Sequence, residues 1–305
     1  MSSIALMSLP GEGTARLTPR PKIVWTLLGV SAIPLWALWP LFAVVSTDTM
    51  PTFQFLAIIY SIGAMTLFAL RRPRMDEQSS GVDRSWKAMV VPAAMVSVGL
   101  LVSNIFFLLA IRFMPAAEAN LIVYLWPLMI VVLAAPIGLL KLERRHILSI
   151  ALGLGGAAFI IGPGSIGGSW AGIALAGASG LAWALFCVYR LRQGAEAPDA
   201  LGVGLALSAV ASIVIHLGLE ATVIPSPISL LSAVLNGVVP LALGNLVWDY
   251  GLRRGNRALL TVIAYATPLV SALILIAFGL AQATMGLLIG GGLIVAGSVI
   301  SARLR

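Results

Sequence analysis

Long apolar runs recur along the whole chain, and they constrain the fold more than any other feature. Many of them reach about 18 residues or more, which is enough to cross a hydrocarbon core about 30 Å thick. Backbone polar groups in lipid must find partners within the protein, so spanning segments are helices or closed barrels. The runs here are continuous rather than alternating, which favours helices. The sequence therefore predicts an all-α membrane protein.

Composition narrows the function classes. Hydrophobic residues make up 60% of the chain and charged residues 10%, against about 25% charged residues in soluble domains. A single cysteine, Cys187, excludes an internal disulfide, and His146 and His216 are too far apart for metal-ligand spacing. We expect no metal and no cofactor. The net charge of +8 is typical either of a nucleic-acid binder or of basic loops beside a membrane.

The apolar runs divide the chain into a polar segment, 1–21, and ten predicted spans. The first run is too long for a signal peptide, so we expect an uncleaved first span. The predicted spans cover residues 22–45, 52–70, 88–111, 117–140, 146–162, 170–189, 200–219, 229–251, 258–280 and 283–302.

The positions of the basic residues predict the orientation of the spans. If the N-terminus is cytoplasmic, 18 of the 19 Lys and Arg residues fall in inner segments, and only Arg112 falls outside. Cytoplasmic loops carry such an excess of Lys and Arg. The distribution therefore predicts ten helices with both termini cytoplasmic, and it argues against a nucleic-acid partner.

The chain also repeats itself with a shift of 141 positions. This shift aligns polar, aromatic and proline residues as well as aliphatic ones, which coincidence among apolar residues explains less easily. The repeats are residues 22–162 and 163–305. A unit of five spans must be inverted in its second copy, and inverted repeats are typical of alternating-access carriers that hold substrate near the midplane. We expect a central cavity between the halves. The aligned pairs include Asn104 with Asn245, Tyr124 with Tyr265, and Pro127 with Pro268.

Two polar stripes are candidate binding surfaces. Asn120, Tyr124 and Pro127 lie at i, i+4 and i+7, on one helix face, and their repeat partners Thr261, Tyr265 and Pro268 form the same stripe. Each proline frees a backbone carbonyl, which a membrane helix tolerates only beside protein or water. Two kinked helices beside a cavity explain the pattern, and ordinary packing kinks are the alternative.

Asn104 and Asn245 lie within predicted helices, where an unpaired amide is costly. We expect both amides to face the bundle interior, either touching substrate or joining helices.

Four tryptophans lie deeper than an interfacial belt would require: Trp36, Trp126, Trp183 and Trp248. A pocket walled by such side chains suits planar, largely apolar solutes, and flat cations through cation–π contact.

Charge is scarce within the predicted spans. Asp249 and Arg253 have the spacing of a helical ion pair, with a proton relay through Asp249 as the alternative. Glu118 is placed to gate the cavity or to pair with Arg112. No carboxylate falls at an obvious midplane position, so the energy source is open. His216 shares a helix face with two serines and no nearby carboxylate, which indicates core hydrogen bonding.

Together these features resemble the drug/metabolite transporter superfamily, in its ten-helix EamA-type branch, over nearly the whole chain. That resemblance implies export of aromatic amino acids from the bacterial cytoplasm, with some tolerance for flat cations. It also implies a basket of helices 1, 3, 4, 6, 8 and 9 around the cavity. The residues that carry the resemblance are Leu35-Trp36, Tyr124-Leu125-Trp126-Pro127, Trp183, Trp248, Gly251, Gly255, Asn256 and Thr267-Pro268.

Other functions fit less well. A multidrug or quaternary-cation exporter needs an embedded carboxylate as counter-charge, and a nucleotide-sugar carrier needs interior Lys or Arg. An intramembrane enzyme needs a nucleophile and a base or a metal cluster, for which two histidines offer little. If the protein were a non-transporting scaffold, the paired proline-kinked helices would have no explanation. The preferred substrate, the coupling ion and the oligomeric state are open.

Overall fold

The computed structural model describes residues 22–70, 86–139, 143–161, 169–193 and 200–302. Over these ranges the chain is helical and contains no strand. Every predicted span coincides with a helical stretch, and the ends differ by at most six residues. The elements are α1 (Lys22–Val30), α2 (Ala32–Ala37), α3 (Trp39–Thr47), α4 (Thr52–Leu70), α5 (Trp86–Ala110), α6 (Ala116–Val123), α7 (Trp126–Ala134), α8 (Arg144–Ile161), α9 (Trp170–Gln193), α10 (Ala200–Leu219), α11 (Pro227–Asn236), a π-helical segment (Gly237–Gly244), α12 (Asn245–Arg254), α13 (Arg257–Ala264), α14 (Thr267–Ala277) and α15 (Met285–Ala302).

Seven helical stretches in the described ranges are long and apolar enough to cross a membrane. The described part of the chain is therefore helical and has the spans typical of a multi-pass membrane protein. The α8 helix begins with Arg144 and Arg145, and α14 and α15 supply shorter apolar stretches. The predicted N-terminal segment 1–21 and most of the basic loop 71–87 lie outside the described residues.

Several of the predicted spans are broken within their length. The first is interrupted at Ser31 and Leu38, and the fourth at Tyr124-Leu125. Pro127 and Pro268 then occupy the first turns of α7 and α14. Proline is well suited to that position, because its missing N–H would have no intrahelical partner there. The predicted kinks are thus helix breaks followed by new helix starts.

The ends of α7 and α14 have the same local geometry, 141 residues apart. Gly138 has φ 74° and Gly279 has φ 71°, a left-handed conformation that glycine adopts without steric cost. The next N–H closes each helix, from Leu139 to the Ala134 carbonyl at 3.1 Å and from Leu280 to the Leu275 carbonyl at 2.8 Å. This is a Schellman-type helix end. The match supports the predicted repeat.

The α8 and α15 helices pack closely along a line of glycines. A Cβ at Gly156 would lie 2.5 Å from the Gly290 carbonyl oxygen, and one at Gly297 would lie 2.7 Å from the Ser149 oxygen. Small residues allow such close backbone approach in membrane helices. Within the described ranges, the pair joins the fifth helical stretch to the tenth.

The remaining helices surround a buried core. The α4 helix packs against α10 and the π-helical segment, and α5 packs against α9 and α10. The short α2 helix contacts the π-helical segment and α14, and α3 contacts α14 and α6. The broken helices therefore meet one another at the centre of the fold, where they position the candidate site.

Candidate functional site

Two of the predicted tryptophans, from different halves of the chain, are in contact. The ring centroids of Trp36 on α2 and Trp248 on α12 lie 5.0 Å apart, with the planes tilted by 57°. Trp36 also lies against the π-helical segment, because a Cβ at Gly244 would come within 2.9 Å of its Cδ1 and Nε1 atoms. Both rings are half-buried. The pair forms one aromatic wall of the site.

A second aromatic pair continues this wall one turn along. Trp39 packs edge-on against Phe107 of α5 with the centroids 5.1 Å apart. The Nδ2 atom of Asn236 donates to the Trp39 carbonyl at 3.2 Å, and the buried Oδ1 atom of Asn236 has no hydrogen-bond partner. Sequence reasoning missed these residues, although Trp39 follows Trp36 by one helical turn.

Asn104 joins two helices at the end of the wall. Its Nδ2 atom donates to the Tyr60 hydroxyl on α4 at 2.8 Å, and Tyr60 is fully buried. Asn104 lies one turn before Phe107 on α5, so it shares a face with the aromatic wall. Its repeat partner Asn245 differs, because its Nδ2 atom donates to the Leu241 carbonyl of its own helix at 2.8 Å.

The predicted proline stripes form a second group. Tyr124, at the break between α6 and α7, interacts through its hydroxyl with the Thr267 side chain at the start of α14. Thr267 is itself tied to the Ala264 carbonyl at 2.7 Å. Pro127 and Pro268 are buried beside this contact. Corresponding breaks in the two halves are therefore in direct contact.

The other predicted site residues lie on α6, α7 and α9 and at the break before α14. Asn120 is buried on α6, one turn before Tyr124, and Trp126 is half-buried in the first turn of α7. Trp183 packs against Phe186 of its own helix, α9, with the centroids 5.2 Å apart. Cys187, one turn further on, is close enough to Tyr265 for an electrostatic interaction.

Close packing between α1 and α12 covers one end of the site. The Asn256 N–H donates to the Thr26 hydroxyl at 2.9 Å, and Gly255 leaves room for the Thr26 backbone. Trp25 lies beside Tyr250 with the centroids 6.0 Å apart. The Arg254 guanidinium lies 4.7 Å from the centre of the Trp25 ring.

Two predictions about charged groups can be compared with the structure. The predicted Asp249–Arg253 ion pair is confirmed, at 2.7 Å. The suggested pairing of Arg112 with Glu118 is wrong, because the Arg112 Nη2 atom donates to the Thr52 hydroxyl at 2.9 Å and Glu118 Oε2 has no hydrogen-bond partner.

The expectation that His216 has no carboxylate nearby is also wrong. Glu220, one turn later, accepts from or pairs with the His216 Nδ1 atom at 2.9 Å, and it accepts the backbone N–H of Phe53 and Gln54 at the start of α4. The i,i+4 spacing of His216 and Glu220 was the signal that would have revealed the pair.

The assembled surface is aromatic and weakly polar. Within the described ranges, no group of three His, Cys, Asp or Glu residues is placed to hold a metal ion. Stacking on the indole rings and hydrogen bonding to an amide or a tyrosine hydroxyl are what such a surface offers to a ligand.

Comparison with known proteins agrees with this arrangement. Residues 23–162 match the EamA-like transporter family. The chain is 32% identical, over 92% of its own length and 97% of the relative's, to the aromatic amino acid exporter YddG of Ancylobacter novellus. A solved crystal structure with 29% identity superposes with a TM-score of 0.66, covering 92% of this chain and 99% of that one. The chain therefore belongs to the EamA-like transporter family and is a membrane transporter of small molecules.

Proposed function

We propose that this protein exports aromatic amino acids from the bacterial cytoplasm across the inner membrane. The observation that carries the proposal is the contact between Trp36 and Trp248, whose tilted rings present indole surface from both halves of the chain. A planar aromatic side chain packs well against such a surface. The relative named as an aromatic amino acid exporter spans almost the same length, which supports the same substrate class.

The proposed architecture is ten spans with both termini cytoplasmic, arranged as two inverted five-helix halves, 22–162 and 163–305. Three observations support it. The helical stretches follow the predicted spans, the glycine-closed ends of α7 and α14 recur 141 residues apart, and 18 of the 19 basic residues fall on one predicted side.

Export then proceeds by alternating access around a central cavity. Trp36, Trp126, Trp183 and Trp248 line the cavity with aromatic surface. Asn104, Asn120 and Asn245, together with the Tyr124 and Tyr265 hydroxyls, meet the amino and carboxyl groups of the substrate. The breaks before Pro127 and Pro268 let the central helices change their tilt, while the carbonyls freed by proline lie against protein rather than lipid, as the Ala264 carbonyl does where it accepts the Thr267 hydroxyl.

Flat organic cations are the second candidate substrates. The face of an indole attracts a cation through its quadrupole, and a tilted pair of indoles presents two such faces. A cation exporter of this kind would use the same aromatic wall without needing the amide groups.

The test is uptake into proteoliposomes that carry the purified protein. Tryptophan and phenylalanine, a flat quaternary cation and a sugar are each offered as labelled solutes. We expect the aromatic amino acids to enter several times faster than into protein-free vesicles, and the sugar to enter at the protein-free rate. Equal rates for the amino acids in both vesicle types would contradict the proposal. Uptake of the cation alone would establish the second candidate instead.

A further inference from the structure

Glu118 is a deeply buried carboxyl group with an unsatisfied oxygen. It lies in the first turn of α6 and is only 6% exposed. One part of the carboxyl interacts with the backbone N–H of Glu118 itself, whereas Oε2 has no hydrogen-bond partner. An ionised carboxylate in this position would be stripped of water with only one backbone N–H as compensation and with Oε2 left unbonded, which is strongly unfavourable. A bound proton removes that penalty.

A capping box at the helix start does not account for this residue. A glutamate at the third helical position often reaches back to the backbone N–H of the N-cap residue. Here the N-cap residue is Pro115, which has no N–H to offer. The capping bond that would explain a glutamate at this position is therefore absent.

The helices packed against α6 bring no counter-charge near Glu118. They are α3, α5, α8, α9, α14 and α15. Three of them, α3, α14 and α15, contain no Asp, Glu, Lys, Arg or His. The titratable groups of the other three are Lys87 on α5, Arg144, Arg145 and His146 on α8, and Cys187, Tyr189, Arg190 and Arg192 on α9.

Each of those groups lies about one helix length away. The start of α9 meets Met114 beside the start of α6, so Cys187 lies about 20 Å further along α9. Lys87 is about 34 Å from the end of α5 that precedes α6, and α8 begins beyond the far end of α7. On α6 itself the other titratable group is Tyr124, at its far end. The nearby turns carry Arg112 and Asp48, which are exposed, and Arg112 is bonded to Thr52.

We propose that Glu118 is the group through which this carrier exchanges protons, so that export of one substrate is coupled to inward movement of a proton. The inference rests on the proposed export function. In the arrangement described here Oε2 holds the proton. When the helices around α6 rearrange and admit water, the O–H bond breaks, the proton passes to a water molecule, and the carboxylate keeps the electron pair. A proton from the other side of the membrane restores the neutral acid.

The decisive experiment compares wild-type protein with E118Q in proteoliposomes. Glutamine has nearly the same shape but holds no exchangeable acid proton. In vesicles with an acidic lumen, the wild type should accumulate tryptophan several-fold above the external concentration. The E118Q protein should lose that accumulation while it still exchanges labelled for unlabelled tryptophan in the absence of a pH gradient. E143Q is the matched control, because Glu143 is partly exposed and paired with Arg145 at 3.0 Å; it should behave as the wild type.

Each outcome decides the question. Exchange by the wild type with no response to the pH gradient overturns the role of Glu118 and leaves the export function standing. An undiminished response in E118Q does the same. Failure of the wild type both to exchange and to accumulate tryptophan overturns the export function and the coupling with it.

A second measurement needs no transport. The infrared spectrum of the wild-type protein at neutral pH should contain the carbonyl stretch of a protonated carboxylic acid shielded from exchange with heavy water. The band should be missing in E118Q and present in E143Q. A wild-type spectrum without that band overturns the proposal.

Discussion

Gly29 of α1 and Gly251 of α12 approach so closely that a Cβ on Gly251 would lie 2.5 Å from the Cα of Gly29. Small residues at such crossings allow two membrane helices to pack backbone to backbone. The contact joins the first helix of one half to a helix of the other, at the end of the site that the Thr26–Asn256 bond also covers.

Substitution of Gly251 tests this contact. The G251V side chain would collide with the Gly29 backbone, and overpacking of this kind costs about 1–3 kcal/mol. We expect a lower apparent unfolding temperature in detergent and at least a severalfold loss of tryptophan exchange. The control is G155A, because a Cβ on Gly155 meets no atom within 4 Å. A G251V protein as stable and active as G155A would show that the two helices do not stay packed in the working carrier.

The aromatic wall predicts a defect in substrate affinity. Removal of either ring in W36A or W248A takes away a stacking surface worth about 0.5–1.5 kcal/mol. We expect the KM for tryptophan to rise about two- to tenfold, measured as the concentration dependence of exchange. W170A serves as the comparison, since Trp170 is 80% exposed. A KM that changes as little in W248A as in W170A would place the wall outside the binding site.

Trp126 and Tyr265 lie at the central helix breaks, so replacing either side chain should slow transport without preventing membrane insertion. W126A and Y265A should reach the membrane in normal amounts and export tryptophan more slowly than the wild type. Membrane content is measured by quantitative blotting of the membrane fraction, and export by efflux from preloaded vesicles. Normal efflux from both variants would remove these two side chains from the site.

The Asn104–Tyr60 hydrogen bond predicts energetic coupling between α5 and α4. The variants N104A and Y60F each remove the bond, so the double variant should be less destabilised than the sum of the two. Interhelical bonds of this type are worth about 0.6–2 kcal/mol in membranes, and a double-mutant cycle on the apparent free energy of unfolding measures the term. Strict additivity would mean that the 2.8 Å contact contributes nothing to stability.

The proposed orientation predicts which loops are reachable from outside. In a C187S background, a cysteine in place of Ser165 should react with a membrane-impermeant maleimide in intact cells. A cysteine in place of Ser79 should react only after the membrane is permeabilised, because basic loops remain cytoplasmic. The opposite pattern would reverse the orientation, and equal labelling of both would contradict the predicted span count between them.

Much of the fold was predictable from the sequence because hydrocarbon length and the backbone bonding rule leave few choices. The ends of the spans followed from apolar runs, and the breaks at Tyr124 and Tyr265 followed from Pro127 and Pro268. The Asp249–Arg253 pair followed from helical spacing alone. Such features depend on residues that are neighbours along one helix.

Contacts between helices were harder to predict, because a run of apolar residues says little about how a helix is rotated about its own axis or how deep it lies in the membrane. Nothing local distinguishes Tyr60 as the partner of Asn104, or Phe107 as the partner of Trp39. Asn104 and Asn245 align in the repeat, yet one bonds across helices and the other within its own. This difference between the two asparagines follows from the π-helical turn that precedes Asn245. The sequence did not indicate that turn.

That π-helical segment, Gly237–Gly244, precedes Trp248 and contains one residue more than an α-helical segment of the same length would. A π turn holds an extra residue relative to an α turn, so relaxing it to α geometry would rotate the following helix by about 100° and shift it by about 1.5 Å. The Trp248 ring would then move away from the Trp36 ring, while the hydrogen bonds within α12 stay intact. The wall of the site is thus attached to a backbone that can turn in a single discrete step.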